Sequence, residues 1–310
     1  MIGILEKEAG EKLLFLNTCS TSFVLQITES GYVFVPYWGG RIECTDIRYV
    51  ISDITRGSYL ADANGQKDFK LEQMPQIYPS HGYSDLREPA FAFAYEDGSR
   101  ITDLRYRSHQ IHRNKKELPG LPSVRPAYDC EVLELVLYDE LKQMEVTLTF
   151  GVYESHDAIT QSVSVKNESR ETVCMEKLCS ASVDLLNSDF DLLHLAGAWA
   201  REFQIKRRSL AQGMQSLGST RGAGGHGQNP FAALISPETD EDHGLVYAMH
   251  FVYSGNFQIS AEVDMHQNTR FQMGIHPFDF AWTLLPGESF QAPEAGMVYS
   301  GQGLGRMSRI

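Results

Sequence analysis

This sequence predicts an all-β fold, a large antiparallel sandwich with few short helices, and three observations predict it. Apolar residues recur at every second position in many short runs, turn-forming residues separate those runs, and helix signals are scarce. Period-two alternation puts one set of side chains on one face of a strand, where a second sheet can cover them. Many such strands at short spacing favour two sheets packed face to face over a bundle or a parallel α/β fold.

The first candidate strands are Phe23 to Ile27 and Tyr32 to Tyr37, followed by Phe91 to Tyr95. Glu131 to Leu137 is a strand with a more buried end. In Glu145-Val146-Thr147-Leu148-Thr149-Phe150 the apolar residues take alternate places without interruption. Ile159 to Val165, Val246 to Tyr253, Phe257 to Val263 and Phe271 to Ile275 complete the set. Turns such as Glu96-Asp97-Gly98-Ser99 and Lys166-Asn167-Glu168-Ser169 separate them, because Asp, Asn and Gly accept the backbone angles a reversal requires. The best helix signal is Ser188 to Leu195, which is short and ambiguous. Three long loops stand out, Gly57 to Lys70, Arg113 to Tyr128 and Gly218 to Pro230, and long loops in compact domains tend to be functional.

With 27 Lys and Arg against 40 Asp and Glu, the formal net charge is −13. Such a surface repels phosphate backbones and anionic lipids, which argues against nucleic-acid and membrane partners. The run Lys206-Arg207-Arg208 reads as a solvated face. A neutral polyol is compatible with this charge, because it asks for hydrogen bonds and not for a field. Five scattered cysteines, with no Cys-x-x-Cys pair, indicate neither a disulfide framework nor a zinc site. Free thiols suit a reducing compartment, and the N-terminus turns acidic before any apolar stretch of signal-peptide length. No run of 18 apolar residues occurs. The expected location is the cytoplasm.

No Gly-x-Ser-x-Gly elbow, phosphate-binding glycine loop or His-Glu-x-x-His segment is present. Gly222 to Gly227 lacks the Lys-Ser/Thr ending of a phosphate cradle, and the ten histidines are dispersed, so neither a metal nor another cofactor is expected. Sugar recognition would look different: aromatic faces stack on the ring while fixed carboxylates and amides bind its hydroxyls. Two segments suit that description. Gly197-Ala198-Trp199-Ala200-Arg201-Glu202 sets a tryptophan between small residues and a charge pair, and Ser52-Asp53-Ile54-Thr55 opens the first long loop with an acid. The residues alone favour the plainer readings, a Trp199 buried in the sandwich core and an Asp53 that caps a turn.

Several stretches occur together and in order: Tyr37-Trp38-Gly39, Asp103-Leu104-Arg105-Tyr106, Leu118-Pro119-Gly120-Leu121-Pro122, His194 to Trp199, Asn229-Pro230-Phe231, Phe251 to Phe257, Pro277 to Phe280 and Val298 to Leu304. As a set they resemble the N-terminal region of bacterial glycoside hydrolase family 36 α-galactosidases, along essentially the whole chain. The resemblance implies a β-supersandwich over residues 1–300, with residues 301–310 starting the linker to a catalytic (β/α)8 barrel that this chain lacks. It implies hydrolysis of terminal α-linked galactose from oligosaccharides such as melibiose and raffinose by the parent protein, in a retaining reaction. Both catalytic aspartates would lie in the barrel, the nucleophile in a Lys-Trp-Asp segment that this sequence does not contain.

On the matching positions, Asp53 would hydrogen-bond the substrate and Trp199 would pack against it. Lys67 falls where relatives carry a basic residue, often Arg; a point ammonium there replaces a planar fork. A second departure is Gly224-Gly225-His226-Gly227-Gln228, where relatives tend to have Ser-Ser-His-Gln-Gln. The implied partners are α-galactoside oligosaccharides, the barrel, and neighbouring subunits of a homotetramer whose N-terminal domains help close one another's active sites. Two alternatives belong to other classes. One is a galactose-mutarotase-like enzyme with His194 and Glu202 as its acid and base; the other is a free-standing sugar-binding module.

Overall fold

The computed structural model describes residues 1–7, 10–52, 59–65, 69–113, 115–125 and 130–310. The chain starts with a four-stranded meander, β1 (Ile2–Glu6), β2 (Lys12–Asn17), β3 (Thr21–Ile27) and β4 (Val33–Gly40). A single turn of helix, α1 (Tyr49–Ser52), leads into the first long loop. Then come β5 (Phe91–Tyr95), β6 (Arg105–His112), β7 (Cys130–Asp139), β8 (Met144–Tyr153), β9 (Ala158–Asn167) and β10 (Val173–Leu185). The hairpin β11 (Asp191–Ala198) and β12 (Arg201–Ser209) precedes β13 (Gly213–Ser219), β14 (Gln228–Ile235), β15 (Val246–Val252), β16 (Phe257–Val263) and β17 (Thr269–Ile275). The short β18 (Trp282–Leu284) and β19 (Ser289–Gln291), then β20 (Glu294–Ser300) and the helix α2 (Gly303–Met307), complete the order.

These strands form three antiparallel sheets. The largest has ten strands, along the path β12-β11-β14-β15-β20-β9-β8-β7-β6 with β19 beside β9, so among the described residues β12 and β6 are its open edges. A six-stranded sheet runs β13-β16-β17-β10-β18, with β5 also on β10. One continuous core joins all three: Phe23 and Leu25 from the meander, Phe93 and Phe271 from the second sheet, and Leu148 and Phe251 from the largest. The antiparallel all-β expectation therefore holds. A (β/α)8 barrel needs eight helices. Among the described residues, helix is confined to α1, α2 and isolated 3-10 turns, and none is long and apolar enough to cross a membrane.

Ser188 to Leu195 is not a helix. Asp191 to Ala198 is a strand between β12 and β14, and its apolar residues Leu192 and Leu193 are both buried on opposite faces. A short apolar run carries too few repeats for periodicity to choose between the two forms, and pairing on both sides decides it.

The outer face of the second sheet is buried but polar. Ser182 stands opposite Gln272 and Asp184 opposite Arg270 on adjacent strands. The loop before β5 covers them with Asp85 and Arg87. The second long loop is held by a buried ion pair, Lys115 with Glu294 at 2.8 Å, both nearly inaccessible. Val124 donates its N–H to the same carboxylate at 2.7 Å and accepts from Lys115 Nζ at 2.6 Å. Residues 301–310 pack on the largest sheet, with Leu304 and Met307 against Leu193 and Ala248.

Candidate functional site

Trp199 sits at the tip of the β11–β12 hairpin and is 83% exposed, so it is not a core residue. The hairpin is irregular in ways that fix where that ring stands. Ala198 pairs with Arg201 across the tip, while the register between Ala196 and Ala198 takes up an extra residue on β12. Ala200 and Phe203 both adopt left-handed backbone conformations, φ 61° and 55°. Non-glycine residues there cost of order 1–3 kcal/mol each, and such strain clusters at binding and catalytic sites. Glu202 accepts a hydrogen bond from the Ala200 N–H at 2.9 Å, which caps the turn. At Gly197 a Cβ would stand 2.3 Å from the Arg201 carbonyl oxygen, so only glycine lets the two strands close.

The third long loop buttresses this hairpin. Gly197 N–H donates to Gly227 O at 3.3 Å. Gln228 Nε2 donates to Leu195 O at 3.0 Å and lies 3.3 Å from His194 Nδ1. At its other end the loop is tied to the β15–β16 turn: Gly224 N–H donates to Ser254 O, and Gly222 N–H to Asn256 Oδ1 at 2.7 Å. Burial lowers the His194 pKa below its ordinary value, and the cations Arg208 and Lys206 push the same way, against a hydrogen bond from Gln228. A neutral imidazole is consistent with Nδ1 accepting from an amide.

Asp53 and Lys67 lie outside the described residues. The segments beside them are described. α1 ends one residue before Asp53, with Ile51 buried beside Phe34 and Met74. Two residues past Lys67, Phe69 packs on Tyr32 and Phe34. The sequence singles out Trp199 and includes Glu202 and Gln228 in its marked segments, but not their supporting roles at the hairpin, which depend on register shifts that no local pattern announces.

The mutarotase pair does not form. His194 lies opposite Lys206 on β12, four residues beyond Glu202. His194 is engaged by Gln228, whose Nε2 lies 3.3 Å from its Nδ1. Glu202 is also turned back onto Ala200. Among the described residues, no three His, Cys, Asp or Glu side chains converge as a metal ion requires.

Beside the hairpin, the outer face of the largest sheet forms an apolar groove of about 570 Å³. Leu193, Phe203, Ile205, Phe231 and Val298 line it, and Ile310 lies at its margin. Phe203 and Ile205 are more than 60% exposed, an unusual state for large apolar side chains on adjacent positions of one strand face.

Comparison with known proteins completes this picture. Residues 31–285 match the model of the glycosyl hydrolase family 36 N-terminal domain. The chain is 43% identical over 300 residues to the alpha-galactosidase AgaA of Geobacillus stearothermophilus, spanning 96% of this chain and 41% of that protein. It is 36% identical over 305 residues to the bifunctional alpha-galactosidase/sucrose kinase AgaSK of Mediterraneibacter gnavus, spanning 97% of this chain and 32% of that protein. A crystal structure of an AgaA variant in complex with stachyose superposes with a TM-score of 0.91 at 43% identity, over 96% of this chain and 42% of that one. The alpha-galactosidase from Lactobacillus brevis gives a TM-score of 0.93 at 33% identity, over 98% and 41% respectively. The chain thus spans about two-fifths or less of the length of these relatives.

Proposed function

Because the chain belongs to the glycosyl hydrolase family 36 N-terminal domain, we propose that it is the non-catalytic front domain of an α-galactosidase. The parent protein releases terminal α-linked galactose from oligosaccharides of the melibiose and raffinose type, and the domain shapes the substrate pocket. Trp199 packs on the sugar, Asp53 hydrogen-bonds it and Lys67 reaches toward its outer unit, while the catalytic carboxylates lie in a barrel outside this chain. Residues 1–300 are the supersandwich, and 301–310 begin the passage to that barrel. The parent works in the cytoplasm as a tetramer.

The observation that carries this reading is Trp199 itself, held 83% exposed on a strained and doubly buttressed hairpin. An indole placed that way gains nothing for the core and is available to a sugar ring. AgaA variants have been crystallised with raffinose and with stachyose, which supports α-galactosides as the ligand class. The apolar groove next to the hairpin supports a second protein body on that face, since an isolated domain gains nothing from exposing it.

The test compares the purified 310-residue chain with the full-length protein on an aryl α-galactoside. The chain alone is expected to show no turnover, and the full-length protein is expected to lose activity on Trp199→Ala or Asp53→Ala. Robust hydrolysis by the chain alone overturns the reading. Saturable heat with millimolar galactose would instead support the free-standing binding module.

A further inference from the structure

We infer that Gln228 is a positioning residue: its side-chain amide bridges the irregular stretch between β11 and β14 and thereby sets the aim of Trp199. This rests on the reading of Trp199 as a sugar contact. Two paired positions fix the geometry on the β14 side, His194 with Ala232 and Ala196 with Gln228. Two steps along β11 are therefore matched by four along β14, so Asn229, Pro230 and Phe231 stand opposite Leu195 alone. Pro230, the middle one, has no N–H to give to the ladder. Within this stretch Leu195 O accepts a hydrogen bond from Gln228 Nε2 at 3.0 Å. The same amide reaches Asn229 O at 3.3 Å and His194 Nδ1 at 3.3 Å, so one side chain ties both strands across the irregularity.

Bulges bend a strand and re-aim what lies beyond them. What lies beyond this one is the tip bearing Trp199, four residues past Leu195. The tip is bulged again on its other side between Ala196 and Ala198, so consecutive register shifts on opposite flanks of β11 give the hairpin its course. Without Gln228 the first shift loses its side-chain bond to Leu195 O, and the Gly197–Gly227 contact at 3.3 Å remains as a restraint. Among the described residues the Gln228 amide bonds only β11 and β14 groups, so its influence on a ligand acts through Trp199.

The experiment has two arms. In the first, the 310-residue chain is labelled with 5-fluorotryptophan, whose three fluorine resonances report Trp38, Trp199 and Trp282 separately; Trp199→Phe identifies the Trp199 line. Gln228→Met keeps the shape and removes the donor, while Gln228→Glu sets an acceptor against Leu195 O. Both are expected to shift or broaden the Trp199 line and leave Trp38 and Trp282 unmoved, with the melting temperature nearly unchanged. In the second arm, the full-length protein carrying Gln228→Met is expected to show a severalfold higher KM for raffinose with kcat within about twofold of the parent. An unmoved Trp199 line overturns the inference, as does a perturbation of all three lines together. If the Trp199 line moves but Trp199→Ala leaves KM unchanged, the sugar contact fails and the positioning of Trp199 by Gln228 stands.

Discussion

Arg270 grips Asp184 at two points, with Nε and Nη2 each 2.8 Å from a carboxylate oxygen and both side chains 1% exposed. The same guanidinium reaches Asp85 at 2.9 Å, and Arg87 bridges Asp85 to Asp264. Burial pushes the Asp85 carboxyl up, yet Arg270 and Arg87 outweigh it and hold that group well below the ordinary carboxylate range. The arrangement fastens the loop before β5 to the second sheet.

Asp184→Ala strands part of the positive charge of Arg270 in the interior. A loss of about 3–5 kcal/mol in unfolding free energy is expected. Denaturant unfolding measures it; a loss under about 1 kcal/mol would mean that the network contributes little.

Gly197→Ala forces a methyl group against a backbone oxygen that no side-chain rotation can clear. A loss of about 1–3 kcal/mol is expected, since overpacked sites relax only by moving backbone. Thermal unfolding reads the stability, and the fluorine resonance of Trp199 reads the shape of the tip.

Gln161 is fully buried on β9, in the row that includes Val163 and Val165, and among the described residues neither of its amide atoms has a hydrogen-bond partner. Gln161→Met keeps the volume and removes two unsatisfied groups. The unfolding midpoint is expected to rise, by up to about 1–3 kcal/mol in stability. A fall in stability would show that water bonds this amide inside the core.

The pKa values of His109, His194 and His276 are lowered from 6.5, in each case first by burial. The folded chain therefore keeps these rings neutral at a pH where the unfolded chain already protonates them. Unfolding then takes up protons, and stability is expected to fall as pH drops below about 6.5. The window should close progressively on replacing these residues by glutamine, as followed by denaturant titrations between pH 7 and 5.

The core strands were legible because their chemistry is local. Val146, Leu148 and Phe150 alternate with polar residues in the sequence, and all three are fully buried on β8. β12 was not legible, because neither face of Arg201 to Ser209 is buried and nothing in it alternates for the core. The buried polar row of Ser182, Asp184, Arg270 and Gln272 escaped for the opposite reason: each residue type is ordinarily exposed, and only the pairing of two distant strands makes burial tolerable. At the site, Trp199 stood out as a rare residue among small ones. Its support did not, since the Gln228 bond to Leu195 O arises from a register shift between two strands far apart in the chain.

The open edge at β12 has a colloidal consequence. A nine-residue strand with one side unpaired among the described residues is a template onto which another molecule's strand can add, and such edges are commonly defended by charge. Lys206 and Arg208 are exposed on this strand in every copy, so two copies meeting there repel. That defence is electrostatic and has a short range, about 10 Å at 0.1 M salt and 3 Å at 1 M. Concentrated salt strips it away, so solutions of this chain should keep best at low ionic strength, and salting-out should favour fibrous over crystalline precipitate.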